Sequence, residues 1–394
     1  MLGYKWNTVE EIIKPGIGEL NFNKKVRGAK KPNAKPMETV EDLRELLELT
    51  TLTKRSIASK LAEVYDPAGT WEMMKLKLKL EFTAFNGRSW DDSLTSEEKV
   101  KWGGYFEEFM KIPSISTERC VIPEDAVSTR MRLLCLADAS DKAGGTCLYI
   151  SFKLKDGSYS AQLLTSRSHL MDSSVPRNEL KAIMMMTYTA HVTYRSIHVT
   201  YRIEKYIEDI MYFTDSRIAM CWVFNQKRRL KTYVHNRVIT IRRLMKWADV
   251  YDSVPLYHIP GELNVADLLT KDHMFSVAMV DRDSTWQRGM EWMKEPIESM
   301  SVTRYEDIAY SKAEAIQLAD ECMEIPFVYV VLEANEQSDK IVREFKRIPR
   351  EVHTDSLHTM THKSEEEEFL VDIVTLGWWK ARRRMLVYKK SVPC

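Results

Sequence analysis

Four acidic residues stand in short motifs that suit the binding of divalent metal ions. They are Asp138, Glu179, Asp215 and Asp267. Hard cations such as Mg²⁺ and Mn²⁺ prefer carboxylate oxygens, and the sequence shows no Cys/His ligand cluster beside these acids. Two such ions, roughly 3.5–4 Å apart, can activate a water and stabilise the leaving oxygen of a phosphodiester. The pattern therefore predicts the cutting of nucleic acid.

Strands are expected to carry two of these acids. Asp138 ends the apolar run 132–137, and Asp215 directly follows the apolar run 207–214. Both runs are typical of buried strands. Two more apolar runs follow Asp138, and Asp156-Gly157 between them is a hairpin signal. We therefore expect three antiparallel strands first and a further strand that ends at Asp215.

Helices are expected to carry the other two acids. Glu179 follows Ser174-Val-Pro176, which is typical of a helix start, so it should lie in the first helical turn. Asp267 lies in a short helix for which Asn264 is the expected N-cap. The predicted order is three strands, helix, strand, helices, strand and helix. This order indicates an α/β fold with a mixed sheet flanked by helices.

Six motifs in chain order carry a resemblance to a known family. They are Ala137-Asp-Ala-Ser140, Pro176-Arg-Asn-Glu-Leu180, Thr214-Asp-Ser216, Trp222, Asn236-Arg237 and Asn264-Val-Ala-Asp267. Through them the chain resembles the ribonuclease H domain of BEL/Pao-type retrotransposon polyproteins, over most of the first 275 residues. Four upstream motifs look like the segment after the polymerase palm in such elements: Leu2-Gly-Tyr-Lys-Trp6, Thr53-Lys-Arg-Ser-Ile-Ala-Ser-Lys60, Tyr65-Asp-Pro-Ala-Gly69 and Trp90-Asp-Asp92.

The resemblance implies a three-part organisation. Residues 1–125 would be a mainly helical remnant of a polymerase thumb or connection. Residues 126–275 would form a ribonuclease-H-like domain with a mixed five-stranded sheet flanked by helices. Residues 276–394 would be an ill-defined, spacer-like C-terminal region of unknown role. With 394 residues and 44% hydrophobic content, the chain can bury two or three cores.

Three departures from the family pattern bear on activity. Asn178 stands where the family usually has leucine, and Val265 where it usually has proline, but neither change removes a predicted metal ligand. The sequence His191-Val-Thr-Tyr-Arg-Ser-Ile197 is almost repeated in residues 198–202. Seven residues are close to two helical turns, so the apolar face drifts by only about 20°. The fold could tolerate this short duplication, but it lengthens the path from Glu179 to Asp215.

Two other activities of such elements are not expected from this chain. A polymerase palm carries an aromatic-x-Asp-Asp motif in a strand, but Asp91-Asp92 stands in a polar stretch without strand character. The region is often labelled a Pao peptidase, yet the sequence lacks the Asp-Thr/Ser-Gly loop of an aspartic protease. We therefore expect neither polymerase nor protease activity.

Charge predicts where nucleic acid would bind. The chain has 58 basic and 57 acidic residues, a net charge of +1, so affinity for a polyanion must come from local patches. One patch extends towards Arg242-Arg243 and includes the predicted nucleic-acid-binding residues Lys227, Arg228, Arg229, Lys231 and Arg237. A second covers residues 23–32. An ordinary solvated helix face is an equally good interpretation of the first patch.

Cysteine spacing and terminal composition indicate the compartment. The six cysteines show no paired spacing, which suits a reducing environment. The first residues lack the apolar core of a signal peptide. We therefore expect a soluble, intracellular protein, in the cytoplasm, a virus-like particle or the nucleus. His353, His358 and His362 lie near no cysteine and are expected to be surface residues, so an integrase zinc site is not predicted.

The resemblance implies hydrolysis of the RNA strand of an RNA–DNA hybrid with two Mg²⁺ or Mn²⁺ ions. Asp138 would bridge both ions, Glu179 and Asp215 would complete one site, and Asp267 the other. His258, nine residues before Asp267, lies near where other ribonucleases H carry a histidine that assists product release. A structural role on a strand edge is its competing interpretation. A polymerase chain or neighbouring polyprotein domains are the expected protein partners.

Two alternatives remain open. The chain could be a catalytically silent remnant of a degraded element that folds and at most binds nucleic acid. It could instead be a transposase or exonuclease with a similar acidic core. Each acid taken singly could also be an ordinary turn or helix residue, as when Glu179 stabilises a helix dipole. The order of all four acids, in the predicted kinds of element, favours the ribonuclease.

Overall fold

A computed structural model describes most of the first 322 residues of the chain. The described ranges are 4–15, 39–63, 66–122, 125–201, 207–225, 229–246, 255–271, 276–296, 299–300 and 302–322. The basic stretch 23–32 and the three histidines 353, 358 and 362 lie outside these residues. None of the helices in these ranges has the length and apolar character that crossing a bilayer requires.

The N-terminal segment combines four α-helices with a small antiparallel sheet. Its strands are β1 (Tyr4–Asn7), β2 (Ile12–Pro15) and β3 (Thr117–Glu118), in the order β1-β2-β3, and its helices are α1 (Val40–Leu49), α2 (Lys54–Glu63), α3 (Glu72–Phe82) and α4 (Ser96–Lys111). Capping boxes start two helices, with Thr39 and Asp42 at α1 and Thr95 and Glu98 at α4. The sequence predicted the helical character but not the small sheet, because β2 and β3 are distant in the chain.

A five-stranded mixed sheet forms the centre of the following part. Its strands are β4 (Ala126–Ala139), β5 (Ala143–Leu154), β6 (Tyr159–Leu170), β7 (Ile207–Thr214) and β8 (Leu256–His258). The order is β6-β5-β4-β7-β8. Strand β5 pairs antiparallel with both β4 and β6, whereas β7 pairs parallel with β4, and β8 pairs parallel with β7. The predicted hairpin lies between β5 and β6, where Gly157 adopts φ +93°. The ribonuclease-H-like α/β fold predicted from the sequence is confirmed.

Helices flank the sheet. They are α5 (Val175–Tyr201), α6 (Arg217–Phe224) and α7 (Thr232–Lys246), followed by two 3-10 helices at Gly261–Leu263 and Val265–Leu269. Helix α5 runs unbroken through the first copy of the duplicated sequence and into the second. Strand β7 nevertheless pairs with β4 up to Leu136 and Phe213. Helix α5 therefore contains most of the duplicated sequence, and the end of β7 is paired with β4.

A C-terminal segment packs back onto the sheet. It contains α8 (Thr285–Arg288), α9 (Lys312–Asp320) and 3-10 helices at Val277–Val280, Glu291–Lys294 and Tyr305–Asp307. The Tyr149 hydroxyl of β5 donates to the Trp286 carbonyl at 2.6 Å, and the Ser151 hydroxyl donates to the Met293 carbonyl at 2.9 Å. Buried side chains from the N-terminal helices, the sheet and this segment form one hydrophobic core. The predicted boundaries at residues 125 and 275 stay a prediction.

Candidate metal centre

Two parallel neighbouring strands bring Asp138 and Asp215 to the same edge of the sheet. Asp138 is the last residue but one of β4, and Asp215 directly follows β7. Because β4 and β7 run parallel, with Leu136 opposite Phe213, both carboxylates leave the sheet at the carboxyl ends of their strands. The apolar runs in the sequence predicted that both acids lie at strand ends. The pairing of β4 with β7 makes the two acids neighbours.

Glu179 reaches the same edge from helix α5. The sequence placed it in the first helical turn, but α5 begins at Val175, so Glu179 is the fifth helical residue and the first turn contains no acid. The helix-dipole interpretation is therefore wrong, because that effect falls off within the first turn. Instead, Glu179 faces the sheet and only 7% of it is exposed. Leu180 and Ile183 are fully buried beside it.

The three carboxylates form a tight cluster. One oxygen each from Asp138, Glu179 and Asp215 lies within 4.8 Å of the other two. Burial, and then the charges of its neighbours, raise the pKa of Asp138 to about 7 and that of Glu179 well above its usual value. Burial raises the pKa of Asp215 as well. A positive charge among the three carboxylates would favour the ionised form of each.

The donor set fits a hard divalent cation. Glu179 Oε2 is buried and accepts no hydrogen bond from the described part of the chain. A buried acceptor without a donor is costly, and coordination of a cation would satisfy it. All three candidate ligands are carboxylates, the type that Mg²⁺ and Mn²⁺ prefer. Asp138, Glu179 and Asp215 can therefore hold such an ion.

Hydrogen bonds from the two residues that flank the 3-10 helix Val265–Leu269 orient the cluster. The Thr270 hydroxyl donates to Asp138 Oδ2. The Asn264 amide donates to the Ala137 carbonyl at 3.0 Å and to Asp215 Oδ1 at 3.4 Å. The Asn264 side chain also accepts from the Ala266 backbone, as the predicted N-cap. Glycine is required at position 145, where a Cβ would lie 2.4 Å from the Leu269 side chain.

Asp267 lies beside the cluster without joining it. It is absent from the three-carboxylate group, and its carboxylate forms an ion pair with Lys271, which is 58% exposed. Its charge still contributes to the raised pKa of both Asp138 and Asp215, so it lies close by. Its role as fourth metal ligand stays a prediction.

His258 is held at the end of β8. Its backbone exchanges two hydrogen bonds of 2.9 Å with Thr303. Burial and the Arg217 charge lower the pKa of its imidazole, while Asp215 opposes this effect. The imidazole therefore lies within electrostatic range of the cluster. Its catalytic role stays a prediction, and the strand-edge position agrees equally with a structural role.

The predicted nucleic-acid-binding residues differ in their surroundings: two lie outside the described residues, two are exposed and one contacts an aromatic ring. Lys227 and Arg228 lie outside the described residues. Arg229 and Lys231 are exposed just before α7. The Arg237 guanidinium lies 3.5 Å from the centre of the Tyr233 ring and donates to the Tyr233 carbonyl at 3.1 Å. Binding of nucleic acid by these residues stays a prediction.

Arg242 requires a correction to the extent of the basic patch. Its guanidinium donates to the carbonyls of Val223 and Asn225, both at 2.6 Å. These carbonyls lie at the C-terminal end of α6, where a helix leaves acceptors unpaired. Arg242 therefore stabilises the end of α6, and only its exposed neighbour Arg243 remains available from that pair.

Asn178 joins the two segments that carry Asp138 and Glu179, a role that the sequence did not predict. Its amide donates to the carbonyls of Ser140 and Ser173 at 2.8 and 3.0 Å, and its oxygen accepts from the Ser173 backbone at 3.2 Å. The sequence signal was the departure from the leucine that the family usually has here. Its meaning depends on backbone groups that only the fold brings near.

Restoring the family residue should therefore destabilise this chain. We expect Asn178→Leu to lower the free energy of unfolding by about 1–3 kcal/mol, because the half-buried backbone groups of Ser140 and Ser173 lose their hydrogen-bond partner. Val265→Pro is the matched control, because it restores the other family residue at the first position of a 3-10 helix, where proline is tolerated. Urea unfolding should show a change within about 1 kcal/mol for this control. Equal effects of the two substitutions would contradict the prediction.

Comparison with known proteins gives one family match. Residues 53–216 match the family model described as "Pao retrotransposon-like RNaseH-like domain". The match includes the three clustered carboxylates and ends before Asp267. It also begins within the segment before β4, so the family pattern is not limited to the sheet. No match to the chain was found among curated proteins.

Three solved structures are similar to parts of the chain. Ribonuclease H1 from Halobacterium salinarum is 12% identical, with 34% of this chain and 89% of that chain covered and a TM-score of 0.23. The N-terminal ribonuclease H domain of Rv2228c from Mycobacterium tuberculosis, fused to maltose-binding protein, is 12% identical over 36% of this chain and 91% of that chain, with a TM-score of 0.24. A foamy viral protease-reverse transcriptase dRH in complex with double-stranded DNA is 14% identical, with coverages of 55% and 34% and a TM-score of 0.30.

The family match and the motifs agree on the family that this chain resembles. Both place the similarity on the segment before the sheet and on the strands and helix that carry the first three acids. The predicted resemblance to BEL/Pao-type retrotransposon sequences is therefore confirmed, and it covers residues 53–216, which are similar to the Pao retrotransposon-like, ribonuclease-H-like family.

Proposed function

We propose that this protein is a metal-dependent endonuclease that hydrolyses the RNA strand of RNA–DNA hybrids. The observation that carries the proposal is the convergence of Asp138, Glu179 and Asp215, with one oxygen of each within 4.8 Å of the others. Their raised pKa values agree with a site that is incomplete without cations. A structural ion-pair network would instead supply basic partners to these carboxylates.

The chain's own residues would prepare the site for two Mg²⁺ or Mn²⁺ ions. Asp138, Glu179 and Asp215 would hold one ion, and Asp138 with Asp267 the other. When bound, the ions would supply an activated water and neutralise charge at the leaving oxygen. Thr270 would keep the Asp138 carboxylate in its orientation, and Asn264 would do the same for Asp215. These contacts would reduce the reorganisation of the two carboxylates during the reaction.

Substrate choice would depend on shape. A hybrid is recognised through its backbone, its groove width and its 2′-hydroxyl groups, without reading of bases. Arg229, Lys231 and Arg237 are the described candidates for phosphate contacts. We therefore expect cleavage to tolerate many sequences. A polymerase chain or neighbouring polyprotein domains would add affinity, and the proposed location is the cytoplasm, a virus-like particle or the nucleus.

The test is cleavage of a hybrid labelled on its RNA strand, at high protein concentration, with Mg²⁺ or Mn²⁺. Wild type should cut the RNA, and Asp138→Asn should lower the rate more than about 100-fold because a metal ligand is lost. Asp141→Asn is the matched control, because Asp141 is an exposed acid in the adjacent turn. It should cut as wild type does. Labelled duplex DNA and single-stranded DNA in the same assay test the transposase and exonuclease alternatives.

A silent remnant is the second candidate. The duplication in α5 favours it, because such a change is typical of a degraded element. The unbroken helix and the intact pairing of β4 with β7 oppose it. Failure of folded wild type to cut the hybrid with either metal would overturn the proposed function and favour the remnant.

A further inference from the structure

Residues 302–322, here called the strap, lie across α6, β8 and the start of α7. The strap begins at β8, where Thr303 and His258 exchange their two backbone hydrogen bonds. Tyr305 then stacks on Phe224 of α6, with ring centres 4.6 Å apart and planes within 12°. The strap ends in an antiparallel bridge between Cys322 and Leu230. It therefore extends from the edge of the candidate metal centre to the predicted basic patch.

The strap holds two arginines that lie close in the chain to the clustered acids. Glu314 pairs with Arg217 at 3.2 Å, and Glu321 pairs with Arg177 at 2.7 Å. Arg217 lies two residues after Asp215, and Arg177 two residues before Glu179. The Arg177 guanidinium also lies 4.9 Å from the centre of the ring of Tyr233, a residue of α7. The strap therefore occupies the guanidinium group of each arginine.

The end of the strap also covers the predicted nucleic-acid-binding stretch. Its Glu321 carbonyl accepts from the Lys231 backbone at 2.8 Å, and Leu230 between Arg229 and Lys231 forms the bridge to Cys322. The strap has five acidic and two basic residues, a net charge of −3. An acidic segment thus lies along basic residues that are suited to a polyanion.

We propose that the strap binds Arg177 and Arg217 where nucleic-acid phosphates would otherwise bind them. The strap thereby weakens binding of the hybrid. Carboxylates and phosphates present similar pairs of oxygens to a guanidinium, so Glu314 and Glu321 compete with the substrate backbone. This inference rests on the proposed function for the identity of the substrate. It assigns a role to part of the C-terminal region for which the sequence indicated none.

The contacts of the strap suit displacement by a stronger polyanion. Helix α9 contains no buried residue, and its Ile316 is 65% exposed. The Arg217–Glu314 pair is partly exposed, and ion pairs of this kind contribute little to stability. The aromatic contact at Tyr305 can keep the first part of the strap in place while its acidic second part leaves.

Binding of a fluorescent hybrid to the full chain in EDTA tests the proposal. Glu314→Gln combined with Glu321→Gln should bind about tenfold more tightly than wild type at low salt. The slope of log affinity against log salt should become steeper by about two, roughly one for each freed arginine. Glu306→Gln with Asp307→Asn is the matched control, because it removes the same charge from exposed strap positions outside both ion pairs.

Equal affinity and salt slope for the double variant and its control would overturn the proposal, as would a lack of binding by all three proteins. If the double variant does not fold, hydrogen exchange of wild type provides the test. Residues 311–322 should lose protection from hydrogen exchange when a saturating concentration of hybrid is added. Unchanged or increased protection would overturn the proposal. Since these measurements need no metal, they can succeed where cleavage fails, which would separate the strap from the proposed chemistry.

Discussion

Asp138→Asn is expected to stabilise the protein in the absence of divalent ions. Asp138 is 5% exposed, and burial together with the Asp215 charge raises its pKa from 3.8 to about 7. Asparagine removes the unfavourable charge and keeps an oxygen that can accept from the Thr270 hydroxyl. Because the carboxylates titrate together, only part of this rise converts into stability, and we expect a gain of about 1–3 kcal/mol. Urea unfolding in EDTA at neutral pH measures it.

The same carboxylates should make the metal-free protein less stable as pH rises. A folded-state pKa above the unfolded value means that the folded protein binds more protons between the two values. The free energy of unfolding therefore decreases as pH rises from about 4 to about 7, the range set by Asp138, with Glu179 acting in the same direction. Asp138→Asn should reduce this decrease.

Controls separate a site effect from a general charge effect. Asp141→Asn removes an exposed charge nearby and should leave the free energy of unfolding within about 0.5 kcal/mol of wild type. Mg²⁺ or Mn²⁺ should stabilise wild type by binding the folded state, and should stabilise Asp138→Asn much less. A metal-free Asp138→Asn that is less stable than wild type at neutral pH would show that the cluster is not destabilising.

Gly69→Ala is expected to be among the most destabilising single changes in the chain. Gly69 adopts φ +72°, and a Cβ there would lie 1.9 Å from the Ser166 carbonyl oxygen of β6. Two hydrogen bonds hold β6 against this segment, because the Ala68 carbonyl accepts from the Ser166 backbone N–H at 3.2 Å and from the Thr165 hydroxyl at 2.7 Å. Ser166 therefore cannot move away easily. Left-handed strain and a backbone clash together should cost about 3–5 kcal/mol. Urea unfolding measures this loss.

Gly87→Ala provides the matched control for backbone strain alone. Gly87 also has a positive φ, +84°, but a Cβ there would meet nothing within 4 Å. We therefore expect a cost of only about 1–2 kcal/mol. The difference between the two variants measures how closely the segment before α3 docks on β6. Similar losses for both glycines would mean that this docking contributes little to stability.

Local sequence determined the helices and strands of this protein and the positions of the acids along them. Apolar runs ending at Asp138 and Asp215, and the hairpin signal at Asp156-Gly157, depend only on residues close in the chain. Asn264 is the N-cap that the sequence predicted, because capping also acts over a few residues. These signals were sufficient for the fold class and for three acids that meet.

Tertiary structure alone decided which groups support those acids. The Thr270 hydroxyl meets Asp138, and Asn178 meets Ser140, across long stretches of chain. Gly69 is required by the Ser166 carbonyl, and Asp267 pairs with Lys271 instead of joining the cluster. A side chain's type shows which bonds it can form, but its partner depends on how distant segments pack. For this reason the sequence predicted the acids, whereas their orientation, their pKa values and the strap beside them required the fold.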